Sequence, residues 1–231
     1  MVSARMMYIP DTMARWPWPR VMNPHFGTVK AEADAWFRTF KAFTPESQAA
    51  FDKCDFARFA ALAYPTATQG GSTRLQWDSV LRQMASEHLR ISCELINVYF
   101  IIDEYTDVEN APVTRQMVDI VIDAPHNPDK ARPTGEVVIG EVVRQFWARA
   151  IQASTVTAQR HFLENFTQWL NSLVTQAKDR DHGRSDATTL RPGPSFFGLE
   201  IIMDLPDEIY YHPTVVELTG YITDMVIVDN A

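Results

Sequence analysis

The sequence predicts an all-α fold. Three observations carry that reading. Apolar residues recur at three- and four-residue spacings through most of the chain, and capping residues followed by proline open several of those stretches. No segment alternates apolar and polar residues between hairpin turns, and no repeat of solenoid length is visible.

The elements follow in order. Between Thr28 and Phe43 the apolar positions are Val29, Ala33, Trp36, Phe37, Phe40 and Phe43, one face of a 3.6-residue period. Thr44-Pro45-Glu46 reads as an N-cap, a proline at the first helical position and an early acid, restarting a helix through Ala50. A short helix from Phe56 to Tyr64 is closed by Pro65, and Thr66 to Thr73, with Gly70-Gly71, reads as loop. From Glu87 to Ile102 the chain is apolar on nearly every side, the pattern of a buried helix. Asn110-Ala111-Pro112 opens a helix to Asp123, and Pro125, Pro128 and Pro133 then suggest an extended surface connection to a helix over Glu136 to Ala150. Phe162, Leu163, Phe166, Trp169, Leu170, Leu173, Val174 and Ala177 form a strong core stripe that stops at Lys178-Asp179-Arg180-Asp181-His182-Gly183. A helix over Ser195–Met203, the turn Leu205-Pro206-Asp207 and a last helix from Pro213 complete the chain, read as one domain over residues 1–231.

Composition narrows the function classes. With 231 residues, 46% hydrophobic, there is material for one sizeable core. The net charge of −8 argues against a nucleic-acid binder built on a basic face. Two cysteines, Cys54 and Cys93, make no disulfide scaffold; both sit on apolar helical faces and read as small core residues of a chain kept reduced, hence cytoplasmic. No run of eighteen apolar residues predicts a membrane span, and none near the start predicts a signal peptide.

One motif carries chemistry. The buried helix ends in Phe100-Ile101-Ile102-Asp103-Glu104-Tyr105-Thr106-Asp107, three carboxylates within five residues. The helix macrodipole is negative there, and Asp103 and Asp107 at i and i+4 repel each other. A divalent cation would reverse the sign of each of these effects, and an all-oxygen set suits magnesium, with manganese as substitute. The plainer alternative is a solvated helix end, since short acidic clusters are common on surfaces. The six histidines show no zinc-type pairing, and neither a phosphate-cradling glycine loop nor a Gly-x-Ser-x-Gly elbow occurs.

Asp103-Glu104-Tyr105-Thr106-Asp107 matches D-[DE]-x-x-D, the first metal motif of class I terpene synthases. With Trp16-Pro17-Trp18-Pro19-Arg20, Lys53-Cys54-Asp55-Phe56, Leu62-Ala63-Tyr64-Pro65, Gly140-Glu141-Val142-Val143-Arg144-Gln145-Phe146-Trp147 and Leu205-Pro206-Asp207-Glu208 in this order, nearly the whole chain resembles the sesquiterpene synthases of mushroom-forming fungi. The resemblance implies a helical isoprenoid-synthase bundle. It also implies magnesium held by Asp103, Glu104 and Asp107, and a linear isoprenoid diphosphate, farnesyl diphosphate, as substrate. Asp103 would be the principal catalytic ligand. Tyr99, Phe100 and Phe196 would line the cavity where the allylic cation cyclises. Arg184, with Arg191 as its rival, would take the place of a diphosphate-sensing arginine.

The sequence departs from the family pattern in three places. Of the second metal motif, N-D-x-x-S-x-x-x-E, only Asn230 is present before Ala231. The stretch before Pro194-Ser195-Phe196 is short, and Ala67 to Met84 reads as an insertion. Two readings therefore stay open at this level. One is a magnesium-dependent cyclase acting on farnesyl diphosphate. The other is a truncated, catalytically silent helical protein whose exposed inner faces invite self-association.

Overall fold

The computed structural model describes residues 20–65, 78–184 and 204–230, with side chains described outside 78–85 and 224–230. Every regular element among them is helical. The first helix, α1 (Phe26–Arg38), buries Val29, Ala33, Trp36 and Phe37, the stripe its spacing predicts. Thr44 caps α2 (Pro45–Cys54) by accepting the Ser47 N–H at 3.2 Å, and Asp55 then takes a left-handed conformation, φ 52°, that turns the chain into α3 (Phe56–Ala63). The Asp55 carboxylate holds Lys30 of α1 at 2.9 Å and Arg58 of α3 at 2.7 Å, so one acid ties the corner together.

The long α4 (Asp78–Thr106) lies against α1 and α3 on one side and packs with α6 (Ile139–Ala150) on another. Its 29 residues make it roughly 43 Å long at 1.5 Å per residue. Helix α5 (Ala111–Asp123) opens with Asn110 accepting the Val113 N–H, and it packs on α6 and on α7 (Val156–Asp181). Tyr99 meets Phe166 and Trp169, and seven residues further along α4 the Thr106 carbonyl meets Arg180. Partner numbers rise together, so α4 and α7 run parallel and end at the same pole of the bundle.

Phe37, Ile101, Ile102, Phe146, Phe162, Phe166 and Leu170 form the centre of the main core, each withdrawn from water. Removing a side chain of this size from solvent contributes roughly 1.5–3 kcal/mol apiece. A second cluster of small residues, Ala33, Ala57, Ala60, Ala61 and Cys93, lets α1, α3 and α4 approach closely. Gly140 serves the same purpose between α5 and α6. A Cβ there would lie 2.6 Å from the Ile120 side chain.

Several expectations need correction. Cys93 is buried and its thiol is pushed up to about 12 by burial, but Cys54 is exposed, because α2 rests on the core through Phe51 and turns its other side to water. The segment after Asp123 is a 3-10 turn over Ala124–His126 whose Ala124 and Pro125 are buried, not a purely extended surface run. Helix α6 begins at Ile139 rather than Glu136, which instead takes Arg132 in two bonds of 2.7 and 2.8 Å.

The turn at Leu205 leads into a one-turn helix, α8 (Asp207–Tyr210), followed by α9 (Pro213–Asn230). Tyr210 stacks on the buried His161 ring at 3.7 Å, and Asp207 pairs with both His161 and Arg160 of α7. The predicted loop at Thr66–Thr73, the helix at Ser195–Met203 and the first nineteen residues lie outside the described residues, as does part of the 67–84 stretch, whose remainder begins α4. No described helix is long and apolar enough to cross a membrane.

Candidate metal centre

The acidic motif sits on the last turn of α4. The helix carries the motif as its sequence predicts, running through Thr106, and the Asp107 N–H still bonds the Asp103 carbonyl at 2.8 Å. Asp103 and Asp107 therefore occupy one face, a turn apart, at the negative pole of the helix. Asp103 is half-buried. Glu104 and Asp107 are exposed.

Electrostatics single out Asp103. Desolvation first, then the charges of Asp107 and Glu104, raise its carboxyl to about 7. No described residue donates a hydrogen bond to that carboxyl group. Asp107 is also raised, chiefly by burial, with Arg180 opposing the shift at 3.7 Å. The helix end is pinned from two sides: Tyr105 donates to the Ala42 carbonyl at 2.6 Å, and Arg180 donates to the Thr106 carbonyl at 2.8 Å.

Among the described residues no three His, Cys, Asp or Glu side chains gather closely enough to hold an ion unaided. Asp103, Glu104 and Asp107 are therefore not brought together as a set of three ligands. Magnesium in general takes one or two carboxylates, with water and substrate oxygens at its other positions.

The other sequence-predicted residues divide. Tyr99 lies one turn before Asp103, buried, with its ring 4.7 Å from Trp169 and 6.0 Å from Phe166, both edge-on. Phe100 does not join it: the ring points to the opposite neighbour, stacks on Phe56 at 3.7 Å and is 37% exposed. Arg184 stands just past the end of α7, exposed, 3.4 Å from Asp179. Asn230 ends α9, and Arg191 and Phe196 lie outside the described residues. Cavities of about 590 Å³ beside Arg90 and Arg149, and of about 340 Å³ between α5 and α7, do not include Asp103.

Comparison with known proteins identifies the motif's setting. The family model "Terpene synthase family 2, C-terminal metal binding" matches residues 94–230, which contain the whole acidic turn. The chain belongs to the terpene synthase family. It is 51% identical over 235 residues to Sesquiterpene synthase 14 of Postia placenta, covering 98% of this chain and 62% of that protein. It is 50% identical over 234 residues to Delta(6)-protoilludene synthase 8 of the same organism, covering 97% of this chain and 64% of that one. This terpene synthase sequence thus spans a little under two thirds of the relatives it matches. Among solved structures, an ancestral SVS_A2 variant superposes with TM-score 0.75 at 19% identity, covering 93% of this chain and 65% of the other. An α-eudesmol synthase superposes at 0.72 and 14%, covering 93% and 70%. These establish the all-α class I terpene synthase fold.

Two residues at this pole escaped the sequence reading, Arg180 and Tyr105. The Lys178–Gly183 run registers only as a polar helix stop. The available signal was an Asp-Arg-Asp triplet directly after a core stripe, where solvated residues need not be so specific.

Proposed function

We propose that this chain engages an isoprenoid diphosphate, farnesyl diphosphate, at the C-terminal pole of α4, for ionisation and cyclisation to a sesquiterpene. The observation that carries the proposal is Asp103, a carboxyl desolvated beside two further acids and lacking a donor among the described residues. An isolated group in that position raises the energy of the fold, an arrangement that proteins keep where ligand binding relieves it.

Asp103 and Asp107, with Glu104 beside them, would hold magnesium, or manganese in its place. The ion would stabilise the charge developing on the departing diphosphate. Tyr99, backed by Trp169 and Phe166, supports water exclusion next to the acids. A ring face is worth roughly 0.5–2 kcal/mol to a desolvated cation. Arg184 is exposed, its charge beside Asp179 among the described residues, and would turn toward a diphosphate. Asn230 is assigned to the second metal site and Arg191 and Phe196 to the substrate by resemblance alone.

The test incubates the chain with farnesyl diphosphate and magnesium, following released diphosphate and volatile hydrocarbon by gas chromatography. Magnesium-dependent hydrocarbon is the expected result, reduced about a hundred- to a thousandfold in Asp103→Asn, the scale of removing a main electrostatic group. Equal product from wild type and variant contradicts the proposal.

A further inference from the structure

Helix α7 ends in two oppositely charged neighbours that grip the two ends of one turn. Arg180 donates from Nη2 to the Thr106 carbonyl at 2.8 Å and to the Glu109 carbonyl at 3.3 Å, and its Nη1 lies 3.7 Å from Asp107. Asp181 accepts the Ala111 N–H at 2.9 Å. The cation therefore meets the negative C-terminus of α4, where it shares the Thr106 carbonyl with the Glu109 N–H, while the anion meets the positive N-terminus of α5. Reversing the two residues would place each charge against the wrong pole.

The clamp is itself anchored. Gly183, at φ 65°, closes α7 with bonds from its own N–H to the Arg180 carbonyl at 2.9 Å and from the Arg184 N–H to the Asp179 carbonyl at 2.8 Å. That paired pattern fixes the helix end carrying Arg180 and Asp181. The turn from Asp107 to Asn110 lies between the two gripped points, and Asp103 and Glu104 sit within the turn of α4 that leads into the first of them.

We propose that Arg180 is a positioning residue, which with Asp181 holds the α4–α5 turn so that Asp103 and Asp107 keep a cation-binding arrangement. This rests on the metal-binding reading above. Arg180 also bears a positive charge near Asp107, and that charge alone would oppose a metal ion. The two effects have opposite signs. The carbonyl bonds are charge-assisted and one is short, whereas the contact with Asp107 is longer and exposed, so positioning outweighs repulsion.

The experiment compares wild type with Arg180→Met and Arg180→Lys, reading Mn²⁺ binding by electron paramagnetic resonance, amide exchange by mass spectrometry and the melting temperature. Arg180→Met is expected to weaken Mn²⁺ about tenfold and to speed exchange over residues 104–113 about tenfold, with protection elsewhere unchanged. Arg180→Lys keeps the charge but not the two-carbonyl reach, and should recover only part of either loss. Tighter Mn²⁺ binding in Arg180→Met would make Arg180 a mere competing cation and overturn the proposal. Unchanged exchange over 104–113, or a lower melting temperature with unaltered Mn²⁺ affinity, would overturn it as well. If wild type and Asp103→Asn bind Mn²⁺ equally, the metal-binding reading fails by itself, and the exchange data still decide whether Arg180 holds the turn.

Discussion

Asp103→Asn stabilises the metal-free protein above pH 7 while removing its proposed activity. The sign follows from proton linkage. Asp103 titrates near 7 in the folded chain, because burial and two neighbouring acids disfavour its charge, and near 3.9 when unfolded. Between those values the folded state binds more protons than the unfolded state, so stability falls as pH rises through the window and the loss is complete above it. Asparagine has the same shape and no charge. With each unit worth about 1.4 kcal/mol, the variant should exceed wild type by roughly 2–4 kcal/mol at pH 8, and the two should converge at pH 4. Denaturant unfolding across pH, with chelator present, measures the difference. Magnesium should restore stability to wild type and not to the variant. Parallel pH profiles would show that the site stores no such energy.

The second large effect lies about 13 Å back along α4, by the rise of nine residues. Glu94 is fully buried and its Oε1 is shared by Arg90 of its own helix, at 2.5 Å, and by Arg149 of α6. Arg90 also holds Glu32 of α1 at 2.5 Å, and the Arg149 guanidinium lies over the Trp36 ring at 5.7 Å. The carboxylate thus joins α4 to α6, and Arg90 extends the network to α1. Glu94→Ala leaves two guanidinium groups facing a vacated space, and removing one partner of a buried pair costs about 3–5 kcal/mol. Arg149 is 40% exposed and can turn to water, which sets the expectation near 3 kcal/mol. Desolvation outweighs the arginines and raises the Glu94 carboxyl above its ordinary value. Glu94→Gln keeps an acceptor for the guanidinium groups but not the charge, and should cost about 1.5–3 kcal/mol, the value of a hydrogen bond to a charged group, and no more than Glu94→Ala. A loss below 1 kcal/mol in Glu94→Ala, measured by chemical denaturation, would contradict this account of the network.

These two acids show what the sequence could and could not convey. Asp103 was legible because its strain is local: an i, i+4 carboxylate pair at a helix end repels within one turn, whatever packs around it. Val29, Ala33, Trp36 and Phe37 were legible in the same way, as were the caps at Thr44 and Asn110, whose partners lie three residues away. Glu94 was not, since its partner Arg149 is 55 residues distant and only tertiary packing joins them. Arg180 reaches back 74 residues to Thr106. Phe100 illustrates the same limit on an apolar helix. Periodicity identifies which residues are apolar, but the choice between Phe56 on one side and Trp169 on the other depends on where α3 and α7 settle. Cys54 was misplaced because a single helix with a weak apolar face can rest on one residue.

The central claim is that the acidic end of α4 is a cation site for a diphosphate. Titration of the chain with Mn²⁺, followed by electron paramagnetic resonance with and without inorganic pyrophosphate, tests it without requiring turnover. Wild type should bind Mn²⁺ at least about tenfold more tightly than Asp103→Asn, a difference of about 1.4 kcal/mol, and pyrophosphate should tighten only the wild-type binding. Identical titrations for the two proteins, or pyrophosphate acting equally on both, would contradict it.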